Sequence, residues 1–267
     1  MLKELTNLNK NGGMMPILFV GHGNPMNAVE ENDFTRGWKR AVENMPTPKA
    51  IVVVSAHWET RGTFVTAMEK PRTIHDFYGF PQTLFDVEYP APGSFETANL
   101  IAENSVENPI GLNETWGLDH GAWSVLVHMF PEADIPVLQL SLNANLSPRE
   151  HFELAKDLAF LRECGVLIIG SGNIVHNLRL IKFQQKNGDD WAIEANDIFK
   201  NLIVSEKFDR LTKYESLGRA AAIAIPTAEH FLPLLYALAL RKQDEQIEFF
   251  NDAIELGSIS MTSLKIG

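Results

Sequence analysis

The chain has one cysteine, Cys164, among its 267 residues. That excludes an internal disulfide, a multi-thiolate zinc site and CxxC redox chemistry. Positive charge is also scarce: 23 Lys and Arg stand against 34 Asp and Glu, a net charge of −11. A phosphate-backbone partner needs a basic face, so nucleic acid is not expected. Long apolar runs are missing. Phe231 to Leu240, among the longest, falls far short of the roughly 20 residues that span a bilayer. Met1 to Gly13 mixes Lys, Glu, Asn and Gly and lacks the apolar stretch of a signal peptide. The expectation is a cytoplasmic protein with neither membrane nor nucleic-acid partner, as a monomer or small homo-oligomer.

What the chain does have is an alternation of strands and helices. Ile17–Val20, Ile51–Ala56, Pro136–Leu142 and Val166–Ile169 read as buried strands, and Thr63–Met68 as a strand nearer an edge. Helical spacing covers 27–43, 94–104, 122–130, 189–204 and 229–240, and an alanine-rich stretch, 218–225, precedes Pro226. Ser147-Pro148-Arg149-Glu150 combines an N-cap, a proline at the first helical position and the reciprocal glutamate of a capping box. It should start a helix running to about Cys164, with Gly165 as its stop. Ile247–Phe250 and Ser258–Leu264 read as late strands. Residues 71–93 and 111–121 show no period, and a loop as long as the first is usually functional. The class is therefore α/β, with helices on both faces of a sheet. The expected layout is an N-terminal extension over 1–15 and a single catalytic domain over 16–267.

The informative residues are the histidines, of which there are eight. His22 lies in FVGHGNP, His57 in VVVSAHWET, His176 in IIGSGNIVHNL and His230 in TAEHFLPLL. Polar residues past the ends of buried strands open into the crevice where α/β sheets bind ligands. Neutral imidazoles converging there suit a divalent transition metal. His22, flanked by two glycines, and His57, after a β-branched run, are read as ligands. His230, in the first turn of an apolar helix, joins them. His176 is read as a fourth ligand or a general acid/base. His120, beside Asp119, is a second histidine placed to orient a ligand or to transfer protons. His128 is expected in the core, His151 on a solvated helix face, and His75 in the aromatic loop.

Taken in order, GHGNP, SAHWE, His75-Asp76-Phe77-Tyr78-Gly79-Phe80-Pro81, Tyr89-Pro90-Ala91-Pro92-Gly93, Leu118-Asp119-His120-Gly121-Ala122-Trp123, GSGNIVHNL and HFLPLL resemble the 4,5-DOPA extradiol dioxygenase family. That family is a branch of the class III extradiol ring-cleaving dioxygenases of the LigB-like superfamily. The resemblance implies a single α/β domain with a central mixed, mostly parallel sheet flanked by helices. It implies metal held by His22, His57 and His230, with His176 as acid/base or fourth ligand and His120 as a second active-site histidine. The implied reaction inserts O2 into a catechol such as L-DOPA, with 4,5-cleavage to seco-DOPA. Small-molecule catechol and O2 are then the partners, Fe(II) the metal for activity, and Zn(II) an alternative occupant.

One departure stands out. Many extradiol enzymes ligate Fe(II) with two histidines and a carboxylate, whereas the third position here is His230. Glu229 adjoins it, but successive helical residues point about 100° apart, so the two should not share a metal. The aromatics from Phe77 to Tyr89, with Trp58, are expected to wall a flat substrate, and Trp123 to be core. Arg61 and Arg72 are candidates for reading a substrate carboxylate. The competing readings are a zinc hydrolase, which lacks HExxH here, and a non-catalytic metal-binding protein of the same fold.

Overall fold

The computed structural model describes residues 14–267. Eight strands form one sheet in the order β4-β3-β5-β2-β6-β1-β10-β7. They are β1 (Ile17–Gly21), β2 (Ala50–Thr60), β3 (Thr63–Thr66), β4 (Ile110–Asn113), β5 (Val137–Asn143), β6 (Val166–Gly172), β7 (Ile247–Phe250) and β10 (Ser263–Ile266). A separate two-stranded ribbon joins β8 (Ile254–Glu255) and β9 (Ile259–Ser260). The central strands β5, β2, β6 and β1 run parallel, with Val52 opposite both Leu138 and Ile168, and Phe19 opposite Gly170. The β3–β5, β1–β10 and β10–β7 pairs are antiparallel. The sheet is thus mixed and mostly parallel at its centre, as expected.

The reason lies in the strand sequences. Ile17-Leu18-Phe19-Val20 and Ile51-Val52-Val53-Val54 are buried throughout, which suits strands covered on both faces. Alternate residues feed opposite cores. Ile17, Phe19, Val52 and Val54 pack with Leu154, Phe199 and Leu235 on one face, whereas Leu18, Val20, Ile51 and Val53 pack with Trp38, Trp123 and Leu126 on the other. No helix among the described residues is long and apolar enough to cross a membrane.

Most elements fall where the sequence places them, and the exceptions have local causes. The expected helix over 27–43 is a 3-10 turn, Pro25–Val29, followed by the helix Asp33–Val42, because Asn32 forms its own capping box with Thr35. The capping box of Ser147 and Glu150 is present, but the helix ends at Lys156 and a short helix, Phe160–Glu163, follows before Gly165 takes φ +83°. β3 is internal, because β4, a strand that runs from Ile110 into the supposedly irregular 111–121 region, forms the edge. The late strand over 258–264 is two pieces, β9 and β10. Most of the expected extension lies outside the described residues. Its last residue, Met15, is buried, and its backbone both donates to the Arg162 carbonyl and accepts from the Arg162 guanidinium.

Two corrections bear on the histidines. β2 runs on to Thr60, so His57 lies within the strand rather than past its end. The ladder with β5 is irregular there: Val54 pairs with Leu140 and Glu59 with Leu142, leaving Ser55 to Trp58 opposite Ser141 alone. Such a bulge re-aims side chains. The last helix is Leu232–Ala239, so His230 sits in the turn before it rather than in its first turn.

Candidate metal centre

His22 follows β1, whose last residues pair with the end of β6, and its backbone N–H donates to the Gly172 carbonyl (3.1 Å). His230 arrives on the other side of β6, its carbonyl accepting from Asn173 N–H (2.8 Å). That approach requires Gly172, since a Cβ there would lie 2.1 Å from the His230 carbonyl oxygen. Gly121 plays the same part below His57: a Cβ would lie 2.5 Å from Ser55 Oγ and 2.9 Å from the His57 ring.

The three side chains converge. Ring centroids are 5.0 Å apart for His22–His57, 5.3 Å for His22–His230 and 5.0 Å for His57–His230. One ring nitrogen of each lies within 4.8 Å of the others. For His22 and His57 these are Nε2 atoms, 3.2 Å apart. The opposite nitrogens meet oxygens: His22 Nδ1 lies 3.0 Å from Ser171 Oγ, His57 Nδ1 3.4 Å from Asp76 Oδ2 and His230 Nδ1 3.2 Å from Glu229 Oε1. Ser171 donates its own proton to the Gly121 carbonyl (2.5 Å), so its oxygen is left to accept from His22 Nδ1–H. Outward-held Nδ1–H groups leave Nε2 lone pairs facing inward, the arrangement that orients metal-binding imidazoles.

The electrostatics agree. Burial lowers the His22 and His230 pKa values well below the usual histidine value, and the neighbouring histidines lower them further. Burial and then His120 bring His57 down to about 3, against the opposing charge of Asp76. Burial takes His176 to about 4, against Glu229. All four are therefore neutral at pH 7. Two lone pairs facing each other across 3.2 Å repel unless a cation sits between them, so the donor set fits a divalent metal.

His176 stands beside this trio rather than in it. Its ring stacks on His230 at 3.5 Å and 8°, and it groups with Glu229 and His230. His120, the first residue of the helix His120–Met129, packs against His57 at 3.9 Å. The five candidate residues are thus brought to one place. Glu229 is a correction: lying with His230 in a turn and not a helix, it does reach that ring.

The carboxylate that touches His120 was also misread. Asp119 is wholly buried and turned away. It caps the helix through Ala122 N–H (3.2 Å) and accepts from Ser55 Oγ (2.7 Å) and Gln139 Nε2 (2.6 Å). Burial, then the nearby Asp76, raises its pKa. The residue facing the histidines is Asp76, which sequence reasoning passed over. Its Oδ1 accepts the His120 backbone N–H (2.9 Å) and lies 2.9 Å from His120 Nδ1. Burial alone would raise the Asp76 pKa, but hydrogen bonds and charge from His120 and His57 leave it below the usual value. The available signal was a carboxylate beside His75 in a long aperiodic loop.

The remaining histidines lie elsewhere. His128 is half-buried and donates to the Asn27 carbonyl (2.7 Å). His151 is not solvated as expected but buried, with Nδ1 2.9 Å from Tyr236 Oη. His75 braces the loop by donating to the Val87 carbonyl (2.9 Å). Of the expected aromatic wall, Phe77 meets His120 (5.6 Å), whereas Tyr78 is exposed and Tyr89 is buried, donating to the Phe130 carbonyl. Trp58 stacks on Trp116, and Trp123 is core as expected. Arg72 donates to the Trp116 carbonyl, and Arg61 is exposed.

The chain is similar to known proteins along nearly its whole length. Residues 15–264 match the family described as the catalytic LigB subunit of aromatic ring-opening dioxygenase. The chain is 47% identical to the 4,5-DOPA dioxygenase extradiol of Escherichia coli K12, over 95% of each chain. It is 35% identical to the protein of the same name from Beta vulgaris, over 92% of this chain and 94% of that one. The crystal structure of an uncharacterized Escherichia coli K12 protein superposes with a TM-score of 0.82 at 42% identity, covering 95% of this chain and all of that one. The chain belongs to the family of catalytic LigB subunits of aromatic ring-opening dioxygenases.

Proposed function

We propose that this enzyme cleaves the ring of a catechol such as L-DOPA by the extradiol route, 4,5-cleavage giving seco-DOPA, with Fe(II) held by His22, His57 and His230. One observation carries the reading: three imidazoles converge with one ring nitrogen of each within 4.8 Å of the others, and His22 Nε2 and His57 Nε2 stand 3.2 Å apart. The names of the relatives support the choice of substrate.

Fe(II), when bound, supplies the electron sharing between catecholate and O2 that redox-inert Zn(II) does not. Everything else falls to the chain. Ser171, Asp76 and Glu229 hold the outer nitrogens of the three ligands and so fix their tautomers. His176, neutral at pH 7, accepts a proton from a catechol hydroxyl and returns it as the ring opens. His120 stands against His57 and 5.7 Å from His22, with Asp76 at its Nδ1. Phe77, packed edge-on to His120, offers apolar surface to a flat ring.

The test is oxygen uptake after anaerobic loading with Fe(II), with L-DOPA added and the visible spectrum followed. Uptake coupled to a yellow product is expected. No uptake with any simple catechol, while Zn(II) stays tightly bound, would contradict the reading.

A further inference from the structure

Asp76 touches two of the site's histidines at once. It comes from the loop over 71–93, far in sequence from both. Its Oδ2 lies 3.4 Å from His57 Nδ1, and its Oδ1 lies 2.9 Å from both the backbone N and Nδ1 of His120. Its side chain is 19% exposed, so one carboxylate is largely withdrawn from water to serve these contacts. Those three residues could also be read as a metal group of their own. His57, however, turns Nε2 toward His22, which leaves Nδ1 as its protonated side, and a protonated nitrogen faces the Asp76 carboxylate at 3.4 Å instead of binding a cation.

We infer that Asp76 is a positioning residue that orients the ligand His57 and the non-ligand His120 together, tying the geometry of the metal to that of the catechol pocket. The physical reasons are direct. A carboxylate at Nδ1–H locks the tautomer of a metal-binding imidazole and raises its basicity. The same carboxylate's Oδ1 accepts the backbone N–H of the first residue of the helix His120–Met129 and lies 2.9 Å from its Nδ1, so the imidazole next to His57 is anchored through its backbone with its ring against the carboxylate. Phe77 follows Asp76 in sequence and packs on His120, so the loop's aromatic surface is placed by the same contact. The part that concerns His57 needs only metal binding, whereas the part that concerns His120 rests on the ring-cleavage reading.

The test uses the full chain as wild type, Asp76→Asn, Asp76→Glu and His75→Ala. His75→Ala removes a different brace of the same loop, the bond to the Val87 carbonyl. Zn(II) and Co(II) affinities are measured by chelator competition, and kcat and KM with L-DOPA on the Fe(II)-loaded proteins. Asp76→Asn should weaken metal binding by about tenfold or more and lower kcat with KM little changed, and Asp76→Glu should recover part of both. His75→Ala should keep the wild-type metal affinity. Wild-type affinity in Asp76→Asn, or an equal loss in His75→Ala, would overturn the proposal. A protein that opens no catechol, yet loses affinity in Asp76→Asn alone, would uphold the positioning of His57 and contradict the proposed substrate instead.

Discussion

His22 Nε2 and His57 Nε2 face each other across 3.2 Å, each ring held from behind by an oxygen of Ser171 or Asp76. With both protons held on Nδ1 by those oxygens, the two Nε2 lone pairs repel unless a shared cation lies between them. Replacing His22 or His57 by alanine should therefore weaken Zn(II) binding by more than about a hundredfold, exceeding the tenfold to hundredfold typical of losing a supporting partner. Chelator competition on the refolding-competent variants checks this.

Metal and fold should be linked. The site joins β1, β2 and the turn before Leu232–Ala239, which come together only in the folded chain. Zn(II) at about 100 times its Kd should raise apparent stability by about 2.7 kcal/mol. Thermal melts of the chelated and Zn(II)-loaded protein measure this, and equal midpoints would count against a preformed site.

His176 stacks on His230 without joining the three-nitrogen group. His176→Ala should keep Zn(II) affinity within a few-fold while kcat falls by about 10²–10⁴-fold. A variant with wild-type turnover would remove the proton-transfer role.

His151, away from the site, governs part of the acid stability. Burial holds its folded pKa at about 4, below the ordinary histidine value of 6.5. The unfolded chain therefore binds the extra proton between those values, and stability falls as pH drops from about 6.5 toward 4. The contribution is about 3 kcal/mol, from roughly 1.4 kcal/mol per pKa unit. His151→Gln should flatten the denaturation midpoint across that window, at some cost in packing at neutral pH.

Much of this was legible in the chain. β-branched runs such as Ile51-Val52-Val53-Val54 announce buried parallel strands, and the glycines of GHG and GSGN mark where backbones must pass closely. The three histidines that follow or end such runs, His22, His57 and His176, are readable for the same reason, and His230 from the apolar helix it precedes. Asp76 was not, because nothing periodic in a loop says which way a carboxylate points. Glu229 was dismissed on helical geometry that a turn does not obey. His151 looked solvated because its burial depends on Tyr236, which only the fold brings near. β4, with only two large apolar residues, Ile110 and Leu112, carries too little pattern to declare a strand.

Gly172 offers a test of that close passage. An added Cβ would meet the His230 carbonyl at 2.1 Å, so Gly172→Ala must displace the turn that carries His230. Overpacking of this kind costs about 1–3 kcal/mol, and it should also weaken Zn(II) binding. Unchanged affinity would mean that the turn is not what sets the ligand.

The most direct measurement is the stoichiometry of oxygen uptake by the Fe(II)-loaded protein with L-DOPA, run beside His57→Ala. The account predicts one O2 consumed per L-DOPA opened in the wild type, a yellow product, and neither in the variant. Equal uptake by His57→Ala, or none by the wild type with its metal bound, would contradict a three-histidine ring-cleaving centre.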